Sequence, residues 1–348
     1  MRVLLRWIRR LVLLVLVLIL ALLSPVAYLE VMCRPQGATV AHDPAVGPDW
    51  QRPEGRTLLT YPEWHIVHAY ADYAEVIRIG DPHDFGFFSS IAGFWSSTCA
   101  LSQASGPHGG FPWETKQMVY VIGVSFTAEL ALKAGYEETL GRLFALLRGQ
   151  THAPLDDLSA RQSADYATFL QQVPWYKWDF TRDAGQLDTA ATDSLRDRER
   201  RFALGLEYRA KAAYAGVIAA AVAATGEDQL RLRAVVSGVS AEVLAALPDV
   251  RVIEAGPNGT TIEAPRYRAF TRLAEAITAA GGSFVEIAGN DDILFTMITD
   301  QPAADGAIHS FARQGNPGYR HLVLIPVARL ADTLRALPQG ALEHIHDY

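Results

Sequence analysis

The sequence predicts an α+β fold made of one membrane-spanning helix, an all-helical domain and a C-terminal ferredoxin-like α/β domain with extra strands. Three observations carry this. An apolar run occupies residues 11–33, helical periodicity extends from about 57 to 226, and the pattern switches to strict alternation from Gln229 onward. The expected organisation is a basic cytoplasmic segment (1–10), an anchor (11–33), a linker (34–56), a helical domain (57–226) and the α/β domain (229–348).

The anchor run, LVLLVLVLILALLSPVAYLEVMC, carries no charge before Glu30. Leu11 to Leu29 is 19 residues, about 28 Å as a helix at about 1.5 Å per residue, close to the roughly 30 Å hydrocarbon core of a bilayer. Arg2, Arg6, Arg9 and Arg10 precede it, so the positive-inside rule keeps this end in the cytoplasm and sends the remainder across. A cleavable signal peptide is the rival. It wants a shorter apolar core and a small-x-small site, which Ser24-Pro25-Val26-Ala27-Tyr28 matches poorly. Glu30-Val31-Met32 before Cys33 does not resemble a lipoprotein box either. An uncleaved anchor is expected.

Charge divides at the same place. The 348 residues are 50% hydrophobic and 20% charged, with net charge −7; residues 1–33 hold +3, so the rest holds −10. The mean hydropathy of +0.08 is therefore an anchor property laid over an ordinary soluble ectodomain. An acidic ectodomain argues against nucleic acid as a partner and against a second, electrostatic grip on anionic lipid. Only four of the 31 basic residues are Lys and Asn occurs three times, a composition of GC-rich bacterial coding sequence. The membrane would then be the inner membrane and the ectodomain periplasmic. Two cysteines make no disulfide framework. Cys33 at the membrane edge and Cys99 deep in the next domain are expected to stay apart, Cys99 packing as a small apolar residue.

Four Pro and three Gly mark residues 34–56 as the linker. Thr60-Tyr61-Pro62-Glu63 has the capping-box form and predicts a helix from about 61 to 79. A second helix carries Phe88, Ile91, Trp95 and Cys99 on one stripe. A third runs from Trp113 to Arg148 and ends at Gly149, with Gly135 as its candidate break point. Another spans 156–172 before Pro174, and a last, Pro-free helix spans 189–225 with Gly226 as its stop. Residues 212–225 (AAYAGVIAAAVAAT) are too short to span a bilayer and read as the buried central helix of the domain.

Beyond Gln229 the predicted order is a strand (230–236), a helix (240–247), a hairpin turning at Gly256–Gly259, a helix (266–280) and a strand (284–287): βαββαβ, the ferredoxin-like pattern. Extra strands are expected at 293–299, 321–327 and 341–347, a helix at 328–336, and a surface loop over 301–319. Residues 235–248 and 325–338 echo one another as possible repeats, each closing in Ala-Leu-Pro.

Diagnostic catalytic motifs are absent: no GxGxxG, Walker loop, CxxC or HExxH occurs. Gly123-Val124-Ser125-Phe126-Thr127 lacks the last Gly of a nucleophile elbow. His65, His68, Asp72 and Glu75 form a 3-4-3 stripe on the first helix, read as a solvated face with a metal or partner site as the sharper alternative. His344 and His346 alternate on the last strand, so they share a face and could supply half of a zinc or other divalent-metal site. A third ligand would have to come from His321, His309 or Asn290-Asp291-Asp292. Trp175, Tyr176 and Trp178 form an aromatic stretch suited to a partner or a lipid surface, or else to capping the helical core. Glu129 and Lys133 stand at i, i+4 and read as a structural pair.

These features point to a non-enzymatic accessory, assembly or interaction module of a membrane-protein complex, with no cofactor. An apolar- or lipid-ligand-binding protein is the first alternative, and a metal-dependent periplasmic enzyme using His344 and His346 the second.

Overall fold

The computed structural model describes residues 2–52, 55–148, 152–225 and 230–347. The predicted helix stops Gly149 and Gly226, linker residues 53–54 and the onset at Gln229 lie outside the described residues.

Helix α1 (Arg2–Met32) exposes its side chains from Leu5 to Leu20, and its length and composition fit a membrane anchor or a signal sequence. Its last turns behave differently. Leu29 and Cys33, one turn apart, are buried with Val26 against Phe94, Trp95 and Val119. Cys33 is disulfide-bonded to Cys99, Cα–Cα 5.1 Å, which overturns the expectation that the two stay apart. The reason is packing: the face of α1 that docks its apolar residues carries Cys33 to the Cys99 stripe. Such a bond persists in oxidising compartments and points to an extracytoplasmic domain.

The helical region comprises α2 (Gly55–Ile79), α3 (Phe87–Ala104), α4 (Trp113–Tyr136), α5 (Arg142–Arg148), α6 (Pro154–Leu170), α7 (Phe180–Ala190) and α8 (Leu195–Thr225). Helix α2 starts before the predicted cap: Thr60 bonds back to the Thr57 carbonyl, 2.7 Å, and Pro62 lies inside the helix. Burial of Leu58 and Tyr61 accounts for the extra turns. The division near Gly135 is a π-helical turn, Glu137–Gly141, joining α4 to α5. It aims Glu137 at the buried Arg200, which it holds through two bonds of 2.8 and 3.0 Å. A Cβ on Gly141 would lie 2.3 Å from the Glu137 carboxylate, so glycine is required there. The helix predicted from 189 begins at Leu195, as α8, and a separate, unpredicted helix, α7, precedes it and brings Ala184 and Leu187 into the core. The expected burial of 212–225 does not occur over 212–220: Ala215 is buried, whereas Tyr214 and Val217 are 45% and 66% exposed.

The C-terminal part has eight described strands: β1 (Arg231–Ser237), β2 (Arg251–Gly256), β3 (Gly259–Pro265), β4 (Ser283–Ile287), β5 (Asp292–Thr299), β6 (Ala307–Ala312), β7 (Tyr319–Pro326) and β8 (Leu342–His346). Short helices α9 (Ala241–Ala245), α10 (Arg268–Ala279) and α11 (Leu330–Ala336) intervene. The strands form two antiparallel sheets, ordered β2-β3-β1-β4 and β6-β7-β5-β8. The predicted extra strands thus build a sheet of their own, completed by β6 inside the expected 301–319 loop. The two sheets share one relative strand order. The sequence echo instead aligns β1–α9 with β7–α11, a first strand with a third, so it reflects convergent strand–turn–helix chemistry.

Both sheets share an apolar core through Val236, Ile262, Phe295, Val323 and Ile345, with Phe270 and Ile277 of α10. The alternate residues Leu294 and Leu322 pack the other way, onto Leu58, Tyr61 and Trp64 of α2. The second sheet is buried on both faces, and α2 lies between it and the other helices.

Candidate functional site

Because α2 is covered on two sides, its polar stripe is not solvated. His65, His68 and Asp72 are buried; Glu75 is half-buried and pairs with Arg78 at 2.9 Å. This corrects the solvated-face reading: a helix lodged between a helical core and a sheet has no free face, so His68 and Asp72 turn to the sheet and His65 to the junction of α3 and α4 with β6. The stripe meets the other predicted cluster at the sheet. Alternation on β8 sends Ile345 into the sheet core and His344 and His346 toward α2.

The seam is built of rings. Trp64 stacks on His344, with centroids 3.4 Å apart and planes 24° apart. His346 meets Tyr61 edge-on at 5.3 Å and His344 at 4.9 Å. His65 sits among Phe94, Phe126 and Phe311, and its Nε2–H donates to the Ser90 carbonyl at 2.9 Å. Gly93 leaves it room, since a Cβ there would lie 2.8 Å from the imidazole. The Thr271 hydroxyl accepts from the Ile345 amide at 3.0 Å and shares a hydrogen bond of 3.0 Å with His344 Nδ1.

The charges lie beside the rings. Arg320, almost fully buried, grips Glu343 through two bonds of 2.5 and 2.6 Å and lies 3.7 Å from Asp72. Asp72 accepts from the Gln314 amide at 3.1 Å, and His68 Nε2 lies 3.5 Å from Glu343. Burial drives His65 and His346 down to about 3 and holds His68 and His344 well below the ordinary imidazole value. The imidazoles are therefore neutral. Burial raises the Asp72 carboxyl and pushes Asp347 up to about 7, although Asp347 accepts from the Tyr267 amide at 2.7 Å.

Several polar atoms in the seam have no hydrogen-bond partner: Tyr61 Oη, His65 Nδ1, His344 Nε2 and both nitrogens of His346. The set does not fit a metal. Among the described residues no group of three or more His, Cys, Asp or Glu side chains has metal-holding geometry. The proposed third ligands are engaged elsewhere. His321 is bonded to Thr299 and Ser310 at 2.8 Å each, His309 to Ser96 at 3.2 Å, and Asn290 to the Arg52 and Ala288 carbonyls.

A second buried polar cluster was only half legible. Glu129 and Lys133 do not pair with each other but reach to α8: Glu129 to Lys211 at 2.8 Å, and Lys133 to Glu207 at 3.3 Å. Lys211 also meets Glu207 at 3.0 Å, and Tyr70 donates to Glu129. Tyr73, Tyr166 and Tyr208 complete the wall of a cavity of about 20 Å³, room for about one water. The two ammoniums and two carboxylates balance. The carboxylates hold Lys211 well above its ordinary value against the opposing effect of burial, so it is no nucleophile at neutral pH. The signal available in sequence was the charge spacing on α4 and α8, without anything to say that the partners lie across helices.

Trp175, Tyr176 and Trp178 are half-buried and cap the helical core. Trp178 Nε1 donates to Asp183 at 2.7 Å, and Trp175 lies 5.2 Å from the Tyr214 ring. The structure thus unites the α2 stripe with the β8 pair and leaves this stretch as a separate feature. Compared with family models, curated proteins and solved structures, the chain finds no match.

Proposed function

We propose that this chain is a single-span protein of the bacterial inner membrane whose periplasmic ectodomain works as a non-enzymatic accessory or assembly module. One observation carries the reading: the end of the apolar helix is built into the ectodomain. Leu29 and Cys33 are core residues, Cys33 is bonded to Cys99, and Glu30 is held by Lys116 at 2.7 Å and Tyr120 at 2.6 Å. A cleaved signal peptide would remove part of this core, so the retained-anchor reading is favoured. An ectodomain fixed to its anchor presents one orientation to whatever else lies in the membrane, as docking requires.

The closed seam agrees. Neutral stacked imidazoles and a balanced Lys–Glu cluster stabilise packing and offer no accessible nucleophile beside a base. In the α/β region, the first sheet with α9 and α10 has the order of a ferredoxin-like unit, and we read the second as a reduced copy lacking the first helix.

Purification of the full chain from detergent-solubilised membranes tests the proposal. The expected result is a membrane protein recovered in fixed stoichiometry and lost on dissociation of the ectodomain surface. A monodisperse monomer without a partner would overturn it.

A further inference from the structure

Two helical stretches of the ectodomain carry no charge and yet face outward. On α4, residues 117–128 lie between Lys116 and Glu129, with Val121 62% exposed and Met118 and Trp113 exposed beside it. On α8, residues 212–220 follow Lys211, with Tyr214 and Val217 exposed. Met118 and Val121 on α4, and Tyr214 and Val217 on α8, are large apolar side chains exposed with no charge between them, unusual for helices that meet only water.

Their position relative to the anchor is readable from ion pairs. Lys116 and Tyr120, at the start of α4, hold Glu30 near the end of α1. Farther along α4, Glu129 pairs with Lys211 and Lys133 with Glu207. A lower number on α8 therefore meets a higher number on α4, and the helices run antiparallel. Continuing α8 from Lys211 to Ala220 advances about 14 Å at about 1.5 Å per residue, back toward the level of Tyr120 and so toward α1. Both charge-free stretches thus come to the end of the domain where the apolar helix enters it. Aromatic side chains that favour the water–lipid boundary stand on both helices: Tyr120 reaches Glu30 from α4, and Trp175 packs on Tyr214 of α8.

We infer that the outward faces of α4 (117–128) and α8 (212–220) rest in the outer boundary of the same bilayer that α1 spans. This inference rests on the anchored reading above. The occupant is lipid and not water because α4 packs on the last turns of the apolar helix, where Val119 joins Leu29 and Val26 and the Glu30 charge is paired with Lys116. The aromatic capping stretch at 175–178 would then border the bilayer through the Trp175–Tyr214 contact.

Labelled single-cysteine variants of the full chain in phosphatidylethanolamine–phosphatidylglycerol vesicles test this. Both native cysteines are disulfide-bonded, so an introduced thiol is the labelling site. Val121→Cys and Val217→Cys, carrying an environment-sensitive fluorophore, should show blue-shifted emission quenched by nitroxide lipids. Leu16→Cys in α1 should be quenched as well, and Val243→Cys on α9 should not. If positions 121 and 217 behave like 243 while 16 is quenched, the anchor stands and the inference is overturned. If 16 is not quenched, the anchored reading fails with it. Energy transfer between copies at 217 without lipid quenching would replace the bilayer with a second copy and also overturn it.

Discussion

The indole of Trp64 lies on the imidazole of His344 with ring centroids 3.4 Å apart, and this contact joins the helical half of the ectodomain to its last strand. Both side chains are buried, and the imidazole is held from behind by Thr271. The stack replaces what would otherwise be water on two large faces, so Trp64 is the anchor of the seam. Trp64→Ala should destabilise the chain by about 3–5 kcal/mol, the range for truncating a buried aromatic. Chemical denaturation in detergent reads this as a lower midpoint, and an unchanged midpoint would show that the seam does not hold the halves together.

The neutral imidazoles make the seam acid-labile. His65 and His346 titrate near 3 in the folded chain, and His68 and His344 well below the ordinary value. Unfolded, they titrate near 6.5, so the unfolded chain binds more protons once the pH drops below that. Their contribution is complete above about 6.5 and is lost as the pH falls toward about 3, by up to about 1.4 kcal/mol per pH unit for each histidine. Asp347 acts oppositely. Its folded value, pushed up to about 7, penalises the fold at higher pH and relieves it as the pH falls to about 4. Asp72, whose carboxyl burial also raises, opposes in the same sense, and four groups outweigh these two, so the denaturation midpoint should fall steadily between pH 6.5 and 4. A flat profile there would contradict the buried, neutral assignment.

Arg320 is almost fully buried and its charge is met chiefly by Glu343, with Asp72 at 3.7 Å. Glu343→Ala strands the guanidinium and should destabilise by about 3–5 kcal/mol. Replacing the whole set, Arg320→Met with Glu343→Leu and Asp72→Asn, removes the charge along with its partners and should recover most of that loss. Denaturation of the single and triple variants separates the cases: equal losses would mean that the set itself is worth its full apparent energy.

The pattern of these residues explains what the sequence could and could not reveal. Periodicity located α3 and α10, and the turn residues Gly256 to Gly259 located the hairpin, because local chemistry decides those elements. The α2 stripe was misjudged because one polar face beside one apolar face ordinarily means solvent. A sheet covers it here, and its histidines enter the core as neutral rings. Strand alternation correctly placed His344 and His346 on a common face, but not what that face meets. The Glu129–Lys133 spacing fits an intrahelical pair, yet both side chains are claimed by α8, a long-range pairing that spacing on one helix does not encode. Strand β6 is half-buried from Ala307 to Phe311 and exposed at Ala312, with no alternation, so nothing local distinguished it from a loop.

The Cys33–Cys99 bond closes a 66-residue separation that begins at the end of α1. Cross-linking removes unfolded-chain entropy worth about 4 kcal/mol for a loop of that size. It also holds Leu29 and Glu30 against α3 and α4, because Ser102 donates to the Cys33 carbonyl at 2.6 Å and Lys116 reaches Glu30. Reduction, or Cys33→Ser, should therefore have two effects. The denaturation midpoint should drop by an amount consistent with about 4 kcal/mol. Limited proteolysis of the full chain should also open new cleavage between residues 33 and 52, where few backbone bonds tie the chain once the bond is gone. A loss of stability without new cleavage would mean that packing of Leu29 alone fixes the anchor to the ectodomain, and that the disulfide acts only through the unfolded state.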